Sequence, residues 1–142
     1  MTNKQIDLVK SSWEIVATID SVTVGSLFYN RLFEIAPQLK DMFRNPMPEQ
    51  SKKLLAMISY VIRKLDKLED ILDEVAKLAQ RHVSYGVKPG HYTTVGEALI
   101  WTLEKGLGEN WNTELKEAWT VCYDILSSAM INAAGYEQKD AA

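Results

Sequence analysis

The chain is poor in the residues that most often carry chemistry. It has one cysteine and two histidines in 142 residues. A single cysteine, Cys122, excludes an internal disulfide and any cysteine-rich zinc site. Its setting, "AWTVCYDIL", reads as a packed helical thiol rather than a reactive one. Long apolar runs are missing too: none reaches the roughly 18 residues of a membrane span. The opening "MTNKQIDLVKSSW" is polar and amphipathic, without the apolar stretch of a signal peptide. No membrane partner is expected, and the cytoplasm is the expected compartment. A formal charge of −3 gives no electrostatic case for nucleic acid. Serine-nucleophile motifs, phosphate loops and paired catalytic carboxylates find no candidates. The closely spaced glycines fall in "GVKPG" and "GLG", both in loops beside helices, so no flavin or nicotinamide motif is present.

What is there is helical periodicity over one domain of ordinary size, with 46% hydrophobic residues. Ile6, Val9, Trp13 and Val16 recur at helical spacing, and Thr2 with Gln5 matches a capping box. Asp20 opens a second helix bearing Leu27, Phe28, Leu32 and Ile35, which Pro37 interrupts. The prolines of "RNPMPEQ" mark a loop and then a helix start, and a helix over about Pro48 to Lys64 carries Leu54, Leu55, Ile58, Val61 and Ile62. A further helix carries Ile71, Val75, Leu78 and His82; Pro89 opens the next, which ends near Gly106 and Gly108. The last uses Leu115, Trp119, Cys122, Leu126 and Ala129. No strand pattern survives. The class is all-α, with about six longer helices of unequal length crossing ridges-in-grooves around a pocket. Residues 1–134 form the expected domain, and residues 135–142 read as a disordered tail.

Two places could carry chemistry. His82 lies on the stripe of Ile71, Val75 and Leu78 and so points inward. It is either a satisfied core histidine or a lone axial ligand. One histidine makes no zinc site, but it suffices where a macrocycle supplies the other four ligands, as haem does. Tyr29 falls one turn after Gly25, and Gln50 sits in the first turn of the next long helix, one turn before Leu54. The pair is either boundary polar residues or two donors facing an apolar cavity. Gly25 inside a helix suggests a close approach of two helices.

Together these residues resemble a globin, from about Ile6 to Ala133. The landmarks are "SSW", "GSLFYNRLFEIAP", Phe43 in "DMF", "QRHVSYGVKPGHYTTVGEAL" and "EAWTVCYDIL". The sequence is most similar to bacterial single-domain globins, the haem domain of flavohaemoglobins, and neuroglobin. The resemblance implies a three-over-three helical sandwich around haem b. It implies His82 as the proximal iron ligand, Gln50 at the distal position, Tyr29 as the distal tyrosine and Leu54 over the gas. Phe43 would wedge the haem, Lys53 would meet a propionate, and Leu78, Val87 and Tyr92 would line the cofactor. Gly25 and Ser51 match the small pair at a close helix crossing, while His91 matches a surface position. Two departures follow. Gln50 replaces the histidine that gives neuroglobins a second axial ligand, and the glutamate that flavohaemoglobins place near the proximal histidine corresponds to Ala134. Their reductase domain has no counterpart in these residues.

The expected activity is binding of O2, and of CO and NO, at a ferrous iron. Two donated hydrogen bonds of about 1–1.5 kcal/mol each would slow O2 release roughly 30- to 150-fold, which argues against bulk transport. Nitric oxide dioxygenation with an external reductase, and haem-based gas or redox sensing, are the alternatives.

Overall fold

The computed structural model describes residues 1–43 and 45–134. Within them six α-helices form: α1 (Asn3–Val16), α2 (Ser21–Ile35), α3 (Met47–Arg63), α4 (Leu72–Ser84), α5 (Pro89–Leu107) and α6 (Thr113–Ala134). Short 3-10 segments occupy Pro37–Met42, Leu65–Ile71 and Gly108–Asn110. No strand forms among the described residues. The expected tail, 135–142, lies outside them.

Local chemistry sets the helix ends. The Thr2 hydroxyl accepts from the Gln5 N–H at 3.0 Å while the Gln5 side chain accepts from the Thr2 N–H at 2.9 Å, the reciprocal cap read from the sequence. Asp20 caps α2 by accepting from the Thr23 N–H at 3.2 Å. Pro37, Pro48 and Pro89 each sit in the first turn of a helical segment, where a missing N–H costs nothing. One boundary differs from expectation. Ile71 ends a 3-10 segment rather than lying inside α4, and Lys67 breaks the helical path at φ −141°, ψ 54°.

The helices pack in two layers, α1, α3 and α4 against α2, α5 and α6. The main crossings are α2 on α3, α2 on α5, α4 on α6 and α1 on α6. The larger core joins Val9, Trp13, Val16, Leu103, Leu107, Leu115, Trp119 and Cys122. Its two indoles lie 6.0 Å apart. Each buried indole N–H is satisfied, Trp13 by the Ser59 hydroxyl and Trp119 by the Ser12 hydroxyl, both at 2.9 Å. An unpaired donor there would cost about 1–3 kcal/mol. A second cluster around Phe28, Tyr29, Leu32, Leu39 and Ala98 lies beside it. α3 packs on α2 and α4 on α6, and α3 and α4 do not form a packed pair.

Candidate functional site

His82 stands in the last turn of α4 with its ring half-buried. Its Nδ1 lies 2.7 Å from the Leu78 carbonyl oxygen one turn back. Nδ1–H therefore donates, and the Nε2 lone pair is left to bind a metal. Burial holds the imidazole below its ordinary pKa of 6.5; the Leu78 carbonyl opposes that and the Arg81 charge adds to it. The helix then stops in a Schellman motif. The Gly86 N–H donates to the Val83 carbonyl and the Val87 N–H to the His82 carbonyl, both at 3.0 Å. Gly86 takes φ +91°, which a side chain would strain. The histidine is thus held at its ring by Leu78 and at its backbone by Val87. Leu78 and Val87 are both half-buried beside it in sequence.

The other half is built on α2 and α3. Tyr29 is buried, its ring edge-on to Phe28 and to Phe43 at 5.0 and 5.1 Å. Burial raises its pKa, and a hydrogen bond from the Gln50 side chain pulls the other way. The Gln50 amide oxygen in turn accepts from the Asn45 Nδ2 at 2.7 Å. Asn45 thus anchors the Gln50 amide, and that amide lies beside the Tyr29 hydroxyl, which can both donate and accept. Half-buried Phe33, Phe43, Met47, Leu54, Val95 and Leu99 pack around Tyr29's cluster.

The crossing of α2 and α3 positions this pair. A Cβ on Gly25 would collide with the Ser51 side chain and come within 2.7 Å of the Ser51 Cα. Both residues are buried, as a close crossing requires. Tyr29 lies one turn beyond Gly25, and Gln50 is next to Ser51.

The remaining expected residues fall into place unevenly. Lys53 is exposed on α3. Tyr92 is buried in the first turn of α5, and its carbonyl accepts from the Tyr123 hydroxyl at 2.6 Å. The Tyr123 ring fills the space left by Gly96, where a Cβ would come within 2.7 Å of it. His91 has a task that its surface reading missed: its Nδ1 accepts from the Lys88 N–H at 3.0 Å and caps α5. Ala134 is the last residue of α6. Met42, beside Phe43, reaches the α4–α5 corner, its Cε 4.0 Å from where a Gly86 Cβ would stand. Sequence reasoning missed Asn45 and Tyr123. The one available signal for Asn45 was its place before Pro46, as a loop amide facing the first turn of a helix.

These residues fit a haem. His82 offers one nitrogen on α4, α3 and α4 are not packed together, and a half-buried apolar surface surrounds a single tyrosine hydroxyl. Among the described residues no group of three or more His, Cys, Asp or Glu gathers to hold a metal. The sequence matches the globin family over residues 26–130. The chain belongs to the globin family. This globin is 26% identical to neuroglobin of Tetraodon nigroviridis over 92% of its length and 90% of that protein's. It is 35% identical to an anaerobic nitrite reductase of Brassica napus, covering 91% of this chain and 89% of the relative. It is 28% identical to the flavohemoprotein of Bacillus subtilis over 99% of this chain, which spans 36% of that protein. The solved bacterial globin of Campylobacter jejuni superposes with a TM-score of 0.84 at 27% identity, over 97% of this chain and 99% of that one. The globin fold and its similarity to neuroglobin and flavohaemoglobin haem domains therefore stand. Membership of the family implies haem binding, and globins bind diatomic gases.

Proposed function

We propose that this globin holds haem b through His82 Nε2 and binds O2, with CO and NO as further ligands, beside a donor chain that slows O2 release. The haem, when bound, supplies an iron that takes up a diatomic gas. The chain's residues do the rest. Leu78 fixes the tautomer of His82, and Val87 fixes its backbone. Phe43, Leu78, Val87 and Tyr92 form the dry walls, and Lys53 at the solvent edge is suited to a propionate. Leu54 lies over the gas. Tyr29 then donates to the partial negative charge that O2 develops, while Gln50 holds the phenol oxygen in place.

The observation that carries this reading is the buried Tyr29 hydroxyl, set in an apolar cluster beside a Gln50 amide that Asn45 holds in place. Absorption spectra of the ferric, ferrous and O2-exposed protein test it, with His82→Ala alongside. One haem per chain and loss of the ferrous gas spectrum in His82→Ala are expected. Unchanged loading and spectrum in that variant refute the assignment.

A second reading is nitric oxide dioxygenation. A pocket that holds O2 beside Tyr29 and admits nitric oxide yields nitrate once. Repeated turnover needs electrons, and these residues carry no flavin or nicotinamide motif. An external reductase is then the partner. Steady consumption of nitric oxide by the purified protein with NADH alone would overturn the order of the two readings.

A further inference from the structure

Charge is unevenly placed along this chain. Residues 75–96 contain Lys77, Arg81 and Lys88 and no carboxylate, so the other 120 residues carry −6 of a total of −3. Lys77, Arg81 and Tyr85 follow one another at steps of four on α4 and therefore share one face. The same face starts acidic, at Asp73, and turns basic toward the end that carries His82. All three are exposed, Tyr85 by 60%. Lys88 is exposed three residues on. Among the described residues none of these three cations forms an ion pair. An exposed tyrosine beside an arginine has the residue types enriched at interfaces, and the two lysines have the character of a polar, charged rim. Its position adds to this: the Tyr85 ring centroid is 6.5 Å from that of His82.

We propose that the stripe Lys77–Arg81–Tyr85, with Lys88, is the docking face for an acidic one-electron donor protein. This rests on the haem reading above, because His82 must hold an iron for the docking to be useful. The partner is a flavin or iron–sulfur protein with carboxylates around its redox centre. In the step itself one electron leaves the reduced donor, which is oxidised by one unit. A haem iron held by His82 would take that electron, going from ferric to ferrous. The cations steer encounter, and Tyr85 gives the contact beside the iron's own ligand.

The test uses the haem-loaded chain with a plant-type ferredoxin as the probe. Binding is measured by calorimetry at low and at about physiological salt, where the Debye length is about 8 Å. Reduction is followed by stopped flow with reduced ferredoxin and, separately, with dithionite. Lys77→Glu/Lys88→Glu is expected to weaken binding and slow reduction by ferredoxin at least tenfold at low salt. Dithionite reduction should stay within twofold. Tyr85→Ser is expected to weaken binding without changing its salt dependence. The control, Lys4→Glu/Lys116→Glu, makes the same change in net charge outside the stripe and should weaken binding and slow reduction by ferredoxin less than threefold. Equal binding by the wild type and Lys77→Glu/Lys88→Glu overturns the proposal. So does binding to vesicles of anionic lipid in place of ferredoxin. Failure of the chain to take up haem would instead remove the functional reading, and calorimetry on the haem-free chain separates the two.

Discussion

Replacing Gly25 with alanine is the sharpest test of how the fold sets the gas pocket. The added Cβ would stand 2.7 Å from the Ser51 Cα, about 0.7 Å short of the 3.4 Å at which ordinary contact begins. The obstacle is backbone, so no rotamer change relieves it and α2 must move off α3. Overpacking of this kind costs about 1–3 kcal/mol. Alanine returns up to about 1 kcal/mol of helix propensity. Because the clash is with a main chain, the upper end applies and the net loss is about 2 kcal/mol. For a domain of this size that lowers Tm by about 6–8 °C. The same displacement parts Tyr29 from Gln50. Loss of that hydrogen bond, worth about 1 kcal/mol, should speed O2 release about fivefold. The assay is a thermal melt and an O2-dissociation trace on the single variants and on Gly25→Ala/Ser51→Gly. The double variant removes the two nearest obstructing atoms. The Ser51 Cα still stands 2.7 Å away, so the double variant should recover only part of the stability, with a coupling energy of about 1 kcal/mol. Gly90→Ala, where nothing stands within 4 Å of the new Cβ, is the control and should leave the pocket unchanged. Additive effects within about 0.5 kcal/mol would refute the crossing-point argument.

Tyr29→Phe should speed O2 release about tenfold, the worth of one hydrogen bond, and change CO release much less, because bound CO carries little charge. Equal effects on both gases would mean that the ring acts by bulk. Asn45→Ala should speed O2 release by a smaller factor than Tyr29→Phe, and not at all in a Tyr29→Phe background; an independent effect there would break the relay. Cys122 is buried and its thiol is pushed up to about 12, so at pH 8 it should react with a disulfide reagent about 1,000-fold more slowly than an exposed thiol. Native labelling at the rate of a free cysteine would contradict the packing of α6. In the haem-free chain burial depresses the His82 pKa, so the unfolded state binds the extra proton. The contribution of His82 to stability should be intact above pH 6.5 and fall as the pH drops below it toward the folded value. In denaturant titrations the stability of wild type relative to His82→Leu should fall as the pH drops below 6.5; parallel pH profiles would exclude the effect.

Much of this was legible in the residues because it is local. The Thr2–Gln5 cap, the Asp20 start and the prolines act within one turn, and the His82 stripe is a matter of spacing on a single helix. Gly25 was legible as an oddity, a costly residue that needed a neighbour. The rest depends on which elements meet. Asn45 acts five positions along on Gln50 through side-chain amides, a pairing that no periodicity records. Tyr123 reaches Tyr92 across 31 positions of sequence, and its fit at Gly96 exists only once α5 and α6 are packed. His91 looked like surface because its partner is a backbone N–H, which every sequence contains. The α4 start was misplaced by one residue because Ile71 continues the stripe of Leu65 and Leu68, whose spacing of three belongs to the 3-10 segment before the helix.

The corner after His82 also acts as a ruler. Its two backbone bonds tie Gly86 and Val87 to the last turn of α4, and Pro89 begins α5 two residues later. Such a corner has one permitted length. An inserted or deleted residue between Ser84 and Pro89 would shift the register of α5 against the histidine and carry Tyr92 with it. The 3-10 stretch from Leu65 to Ile71, already irregular at Lys67, has no comparable bond to the histidine. The chain should therefore absorb changes in length before α4 and refuse them after it, so a peptide tag or a grafted reporter belongs on the near side of that helix.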